Sequence, residues 1–590
     1  MLTIRLLGPP SIERDGGPVR PPRGRKAWAL LGYVLLAERP PSRKHLAELL
    51  FADAADPLGA LRWTLAELRR ALGLPDALAG DPVAAALGEG VVVDVLDPAG
   101  AGDDGELLDG IQLPACLEYE SWLLVARHRV SAAVEARVRE TAITLLALGR
   151  ADEAVPYASR AVARNPLEEG NHELLVRSLA MAGDRAAAQR QIAVCEDLLR
   201  RELGREVSAA LRDAATATPA SAIVAPQSGR AAVVSQLEAG RAAIAAGAVD
   251  AGLQCLRRAV SEGSRGGDTT LRGRALAALG GALVHAVRGR DEEGAVVLRE
   301  AIQVATGAGD RATAVTAHRE LGFIEVQAGR RDTADTWLAR AQELAETDEE
   351  LAAILGVRGM NASDRGDYRA AFAHLDESVD RAASAGDHRQ RAWSLSLVGR
   401  AHLLRAERSQ ATVAVTQSVE LCREQRWLAF LPWPQTLQGE LDLVAGRLDD
   451  AVDGLEQAWA LANQIGDPCW EGMAGRAIGL THARRGDHPA ATTWLAEAGS
   501  RCTRVPDRYQ WVHGHVLDAA IGHAIDRGDA ERARPLVTAL ASLAARCDMR
   551  ELVVRAHLHR HRLGDHTALA AARLLAGDID NPALADLLSR

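Results

Sequence analysis

Leucines spaced three and four residues apart predict one strongly amphipathic helix near the N-terminus. Asp56 suits its N-cap and Pro57 its first position, because a carboxylate can accept a hydrogen bond from the first turn and proline needs no donor there. The apolar face is roughly 80° wide at 100° per residue and carries Leu58, Leu61, Leu65, Leu68 and Leu72. The opposite face carries Gly59, Trp63, Ala66 and Arg70, with Arg62 and Arg69 at the shoulders.

The segments around this helix predict a small α+β domain in residues 1–96. Alternation over Thr3–Leu7 indicates a strand, and helices are expected from Arg25 to Ala37 and from Ser42 to Phe51. Val83–Leu87 and Val91–Val95, separated by Gly88-Glu89-Gly90, favour a hairpin. This order of elements is typical of a winged-helix DNA-binding domain.

A recurring turn phrase organises the long C-terminal part of the chain. Glycine, one or two polar residues and an alanine pair recur at near-constant steps of 37 to 42 residues, at Gly247, Gly289, Gly329, Gly366, Gly446, Gly486 and Gly528, with Ala406 in place of one glycine. Glycine can end a helix at positive φ, and the aspartate that often follows can cap the next helix. We therefore predict eight helical hairpins stacked into a tetratricopeptide-like α-superhelix over residues 231–590, with an irregular helical bundle as the alternative.

Two further segments complete a mainly α architecture. Gly149 and Gly183 begin similar phrases 34 residues apart, which predicts a smaller helical, tetratricopeptide-like domain over residues 106–213. Residues 214–230 are rich in small residues, contain two prolines and carry little charge. We read them as a linker.

Charge is distributed unevenly along the chain. Residues 1–72 contain 12 Lys and Arg against 7 Asp and Glu, whereas the whole chain has a net charge of −10. A basic N-terminal segment on an otherwise acidic chain suggests a protein that binds nucleic acid. The candidate groove contacts are Arg62, Trp63, Arg69 and Arg70, and the candidate phosphate contacts are Arg23, Arg25, Lys26, Arg43 and Lys44. Taken alone, the arginine-rich helix is better explained as a solvated surface helix, and only its combination with the strand, the other helices, the hairpin and the local positive charge favours DNA binding. Trp63 could pack beneath the hairpin instead of touching DNA.

Several phrases resemble the antibiotic-regulatory-protein (SARP) family of bacterial activators. They are Leu2–Pro9, Arg23–Leu31, Leu46–Phe51 and Leu61–Leu72 in the N-terminal segment, and Gly105–Gly110, Glu118–Leu123, Asn165–Glu169 and Leu199–Gly204 in the middle domain. The resemblance implies an OmpR-like winged helix followed by a bacterial transcriptional activation domain. It also implies binding to direct repeats of double-stranded promoter DNA, a possible homodimer, and contact with RNA polymerase, for which residues 52–56 are a candidate.

The chain departs from this family in three places. The family usually has a further helical hairpin where this chain has only residues 97–105, the predicted wing carries no Lys or Arg, and position 67 is Glu. A degenerate winged helix in a protein-interaction scaffold is therefore the alternative function. Neither Lys26 nor Lys44 follows a G-x-x-x-x-G phrase, so the ATPase found in many large relatives is not expected.

No motif indicates an enzyme, a cofactor or a metal site. The histidine cluster His557, His559 and His561 is read as a polar helix surface, and the seven cysteines are scattered singly. The absence of a long apolar stretch and of a signal-like N-terminus leads us to expect a cytoplasmic protein without membrane contact. Six of eleven tryptophans lie between positions 427 and 511, where they could fill gaps between helices or line a groove for an unknown protein, peptide or small-molecule effector.

Overall fold

A computed structural model describes residues 1–37, 39–88, 90–96, 105–217, 229–506 and 508–589. They fall into two compact units. The first contains Met1–Arg137 and Asp565–Leu574, and the second contains Val138–Gly564 and Leu575–Arg590. The described residues form 27 helices and four short strands, so the predicted mainly α fold is confirmed.

The first unit opens with a four-stranded sheet of order β3-β2-β1-β4. Its strands are β1 Leu2–Arg5, β2 Ser11–Arg14, β3 Gly17–Pro18 and β4 Val91–Val93. β1 pairs antiparallel with β2 and parallel with β4. Three helices pack on it through a shared apolar core: α1 Arg25–Leu36, α2 Arg43–Phe51 and α3 Pro57–Leu72.

The predicted wing hairpin is wrong. Val83–Leu87 forms no strand; instead Val83 is buried in the core and its N–H donates to the carbonyl of Pro41 at 2.8 Å. β4 is held beside β1 by Asp94, whose carboxylate accepts hydrogen bonds from the N–H groups of Leu6 and Leu7 at 2.8–2.9 Å. These long-range partners outweigh the local preference for a hairpin.

Five helices follow in residues 117–214: α4 Leu117–Ala147, α5 Ala151–Arg164, α6 Glu169–Met181, α7 Arg185–Leu203 and α8 Ala209–Ala214. The boundary between the two units lies within α4. α6 is buried on most sides, and Val176 and Ala180 on it share an apolar cluster with residues of α7 and α8.

Eight helical hairpins then form the predicted repeat array. Their helices are α9 Arg230–Ala245, α10 Val249–Gly266, α11 Thr269–His285, α12 Asp291–Ala308, α13 Arg311–Gln327, α14 Arg331–Leu344, α15 Asp348–Arg365, α16 Tyr368–Ala385, α17 His388–Leu404, α18 Arg408–Glu424, α19 Pro432–Ala445, α20 Leu448–Ile465, α21 Pro468–Arg485, α22 His488–Cys502, α23 Gln510–Asp526 and α24 Ala530–Arg546. α25 Arg550–Arg562, α26 Ala568–Ala576 and α27 Pro582–Ser589 follow. Every predicted turn residue has positive φ, including Ala406 at 60°.

Successive first helices of the hairpins pack against one another and form an inner layer. Residues far apart in sequence then meet across the array. The Tyr368 hydroxyl donates to Glu551 at 2.5 Å, and Arg331 Nε donates to the carbonyl of Cys547 at 3.0 Å. Arg288 likewise pairs with Asp467. The array therefore folds back on itself, and its early and late hairpins share buried polar contacts.

Candidate nucleic-acid interface

Helix α3 is formed as its sequence predicts. The Asp56 carboxylate accepts the N–H of Gly59 at 2.8 Å, and Gly73 ends the helix at φ 64°. The leucine face is buried except for Leu58, which is 46% exposed. This packing fixes which side of the helix reaches solvent.

The exposed side of α3 carries two of the predicted arginines and the tryptophan. The side chains of Arg62 and Arg70 are 64% and 69% exposed, and Trp63 is 52% exposed. Ala66 lies between them on the helix surface. Arg62 is 3.6 Å from Asp56, and Arg70 pairs with Glu67 at 2.6 Å. The Arg62–Asp56 pair is exposed on both sides, so it contributes little and Arg62 can exchange Asp56 for another anion. In the Arg70–Glu67 pair only the arginine is exposed.

The guanidinium of Arg69 does not reach solvent with those of Arg62 and Arg70 but turns to the segment after α3. Its Nε donates to the carbonyl of Ala77 at 2.8 Å and its Nη2 to the carbonyl of Leu78 at 2.7 Å. The guanidinium is therefore engaged by the turn that follows α3 and serves the fold of this domain. This role has no local sequence signal, because the carbonyl partners belong to an irregular segment.

Glu67 does not face outward. Its side chain is 11% exposed and its carboxylate is neutralised by Arg70. The helical position therefore turns Glu67 towards the domain interior and away from the exposed face of α3.

The remaining basic candidates lie around the starts of α1 and α2. Arg23 is exposed, and Arg25 donates to the carbonyl of Gln112 at 3.3 Å. Lys26 pairs with Asp53 at 2.5 Å, and this ammonium holds the pKa of the Asp53 carboxyl below its ordinary value. Arg43 Nε donates to the carbonyl of Gly80 at 2.8 Å, while Lys44 is exposed and 3.9 Å from Glu48. Among these candidates, Arg23 and Lys44 are the side chains least engaged by other groups of the protein.

A family model for the bacterial transcriptional activator domain matches residues 93–217. Residues 93–217 form a bacterial transcriptional activator domain. The activator domain predicted from the sequence resemblance is thereby confirmed. No curated protein matched the chain in a sequence comparison.

Solved structures that resemble the chain contain helical repeats or a SARP-type regulator. A Rap protein complexed with competence and sporulation factor is 13% identical, with 60% of this chain and 89% of that chain covered and a TM-score of 0.42. NprR in complex with its cognate peptide NprX is 11% identical, with 55% of this chain and 98% of that chain covered and a TM-score of 0.39. Mycobacterium tuberculosis EmbR in complex with a low-affinity phosphopeptide is 19% identical, with 36% of this chain and 64% of that chain covered and a TM-score of 0.27. At these values the likeness carries no information on ligands.

Ion pairs connect the activator domain to the repeat array within the second unit. Arg139 on α4 pairs with Glu292 on α12, and both side chains are at most 9% exposed. Glu140 pairs with Arg299, also on α12. Burial raises the pKa of the Glu140 carboxyl above its ordinary value, and Arg299 opposes only part of that rise. These pairs fix the orientation of this part of the activator domain on the array.

The array also contains a cavity of about 440 Å³ lined by inner helices. Its wall includes Arg389, Trp393, Trp427 and Trp470. Sequence reasoning singled out Trp427 and Trp470 as part of a tryptophan-rich stretch but missed Arg389 and Trp393, because only the curvature of the array brings these residues together. Trp433, which also lines the cavity, and Trp511 are almost fully buried, whereas Trp459 and Trp494 pack together in a separate apolar cluster.

The three histidines of the sequence cluster lie on α25. His559 Nε2 lies 2.7 Å from Asp518, and His557 is buried. Across the described ranges, no group of three or more His, Cys, Asp or Glu side chains is arranged to hold a metal ion. Among the helices described, none is both long and apolar enough to cross a membrane.

Proposed function

We propose that the protein is a cytoplasmic, DNA-binding transcription regulator, most simply an activator, whose repeat array senses an effector. Helix α3 reads promoter DNA and the activator domain conveys the bound state to transcription. The array receives a protein, peptide or small molecule. The protein acts without catalysis, cofactor or metal.

The exposed face of α3 is the observation that carries this proposal. Arg62, Trp63 and Arg70 reach solvent from one side of a helix whose other side is locked by leucines. A helix of this kind fits the major groove, where arginine can donate two hydrogen bonds to guanine. The presence of an activator domain in residues 93–217 supports a role in transcription.

A gel-shift series with genomic fragments tests DNA binding. Replacing Arg62 or Arg70 with alanine should cost about 1–3 kcal/mol of binding free energy each if they read bases. Affinity should also fall by tens- to thousands-fold over a few-fold salt increase, as expected for about 4–6 phosphate contacts. The exposed Arg423 of the array, replaced by alanine, is the matched control. Unchanged binding by the double variant would refute the assigned face.

A non-DNA-binding scaffold is the second candidate. It is favoured by the missing wing hairpin and by the absence of Lys and Arg from positions 83–96. A scaffold predicts no salt-dependent, sequence-dependent complex with any fragment. The same gel-shift series therefore separates the two functions.

The family resemblance extends the proposal to RNA polymerase and to dimer formation. Residues 52–56 connect α2 and α3, and Ala55 there is exposed. Replacing Ala55 with arginine should lower transcription from a bound promoter while leaving DNA affinity unchanged. Sedimentation of the protein–DNA complex at increasing protein concentration should reveal two chains per operator. A single chain at saturation would argue against the dimer.

A further inference from the structure

We propose that the cavity of the repeat array binds a planar, mostly apolar small molecule that carries one carboxylate. The proposal deepens the sensing role of the array and rests on that role, but its test needs no DNA. Three properties of the cavity carry it: its size, its aromatic wall and an exposed arginine that makes no ion pair among the described residues.

The cavity has the size and wall of a small-molecule site. Its volume of about 440 Å³ lies within the usual range for such sites, roughly 300–1,000 Å³. A neighbouring, more open cavity of about 1130 Å³ shares Arg389, Trp427 and Ala429 with it. The smaller chamber suits a compact ligand, and an extended chain would need the larger one.

Aromatic rings supply flat surfaces on several sides of the smaller cavity. Trp427 stacks on Phe430 with centroids 4.5 Å apart, and Trp433 and Trp470 are 5.0 Å apart. Trp393 approaches from α17, held against the backbone of α15 at Gly356, where a Cβ would lie 2.7 Å from the indole ring. Several flat rings in one wall favour a flat ligand, because stacking adds to apolar burial.

The charges of the wall leave one cation unneutralised. Arg288 pairs with Asp467, and Arg319 pairs with Glu320. Burial alone would raise the pKa of Glu320, but Arg319 and His285 outweigh it and lower the pKa to about 2, so this carboxylate stays ionised. Arg389 makes no ion pair with the residues that the structure describes. It is exposed, and its guanidinium lies over the Trp427 ring, 5.6 Å from the centroid.

Hydrogen-bond donors exceed acceptors in the same wall. Asp387, the one carboxylate there, already accepts the N–H of Gln390 at 2.9 Å as the N-cap of α17. The indole N–H groups of Trp393, Trp427 and Trp470 make no hydrogen bond to the residues that the structure describes. Burial raises the pKa of Cys469 to about 12, which keeps its thiol neutral. A guanidinium with unused indole donors selects an anionic oxygen group on the ligand.

Titration of the full-length protein with two pyrene probes tests the proposal. 1-Pyrenebutyrate and 1-pyrenebutyramide share the same flat ring system and differ in charge, and energy transfer from tryptophan reports their binding. The acid should bind at one site per chain, on the order of tenfold more tightly than the amide, because a charge-assisted hydrogen bond adds this much. The Arg389→Gln variant should remove that preference and leave amide binding unchanged.

Two matched controls make the result specific. Arg423→Gln changes an exposed arginine outside the cavity and should keep the tenfold preference. Trp393→Ala should weaken both probes, whereas Trp494→Ala, outside the cavity, should weaken neither; circular dichroism verifies that each variant is folded.

Several outcomes overturn the proposal. They are the absence of saturable one-site binding, equal affinity for acid and amide in the unaltered protein, or an Arg423→Gln effect as large as that of Arg389→Gln. Binding of an extended aromatic peptide with no binding of either probe would assign the site to a peptide instead. Normal probe binding with no DNA complex would refute the regulator and leave this site standing, and the reverse result would refute only the site.

Discussion

The carboxylate of Asp364 accepts a hydrogen bond from the guanidinium of Arg400 at 2.7 Å, and neither side chain is more than 1% exposed. Arg331 also reaches Asp364, at 3.0 Å, and the Tyr509 hydroxyl donates to it at 2.8 Å. Burial raises the pKa of Tyr509 well above its ordinary value, so the hydroxyl stays a neutral donor. This network joins the middle hairpins to the segment before α23.

Asp364→Asn should destabilise the array strongly. It leaves two buried guanidinium groups without their shared anion, and losing one partner of a buried pair costs about 3–5 kcal/mol of unfolding free energy. Urea unfolding followed by circular dichroism measures the loss. Asp348→Asn is the control, because its pair with Arg381 is largely exposed and such pairs contribute at most about 1 kcal/mol. Equal losses would show that the network is not a major source of stability.

Ala406→Gly should stabilise the array by about 0.5–1 kcal/mol. Ala406 occupies the turn position that glycine holds in the other seven hairpins, with φ 60°. A side chain at positive φ costs about 1–2 kcal/mol, partly offset by the greater freedom of glycine in the unfolded chain. The thermal midpoint reports the change.

The reverse substitution provides the control for this turn. Gly446→Ala introduces a Cβ at φ 81° where nothing lies within 4 Å, so only backbone strain is tested. It should destabilise by about 1 kcal/mol. A neutral result at both positions would contradict the explanation by backbone strain.

Although Arg69 and Arg70 are adjacent, substitution of Arg69 should mainly lower stability, whereas substitution of Arg70 should mainly weaken DNA binding. Arg69→Ala removes the donor from two carbonyl groups and should cost about 1–3 kcal/mol of stability. Arg70→Ala should weaken the DNA complex. It should also cost about 1 kcal/mol of stability, because it leaves the 11%-exposed Glu67 carboxylate without its ion-pair partner. Melting curves and gel shifts on both variants check this. A folded Arg69→Ala protein that binds DNA as poorly as Arg70→Ala would place both side chains on the groove.

His513 should make stability fall below neutral pH. Burial, reinforced by the nearby Arg508, lowers its pKa from 6.5 to about 3 in the folded protein. Above pH 6.5 the imidazole is neutral in both the folded and the unfolded state, so His513 does not lower the stability. Below pH 6.5 the imidazole is protonated in the unfolded chain but stays neutral in the folded chain. Between these two pKa values the loss reaches about 1.4 kcal/mol per pH unit, and it levels off below about pH 3, where the folded chain also binds the proton.

His513→Leu removes this titration and should flatten the pH dependence of the unfolding free energy. The control is His388→Leu at an exposed position, which should retain the original slope. Identical slopes for His513→Leu and the unaltered protein would assign the dependence to other buried groups.

Sequence periodicity determined the hairpin array and the leucine face of α3, and the resemblance to a known family implied the activator domain. Helix ends, caps and apolar faces depend on residues within a few positions of one another, so they can be predicted from the sequence. Aspartates 367 and 487, for example, cap the helices that follow their glycines as predicted.

The tertiary structure decided which distant groups meet. Val91–Val93 pairs with Leu2–Ile4 instead of forming a hairpin, Arg69 turns to the segment after α3, and Arg389 joins four tryptophans around a cavity. Each outcome depends on groups that lie close in space and far apart in sequence, or in irregular segments without a period. No local pattern specifies such partners, because packing selects them only once the hairpins have stacked.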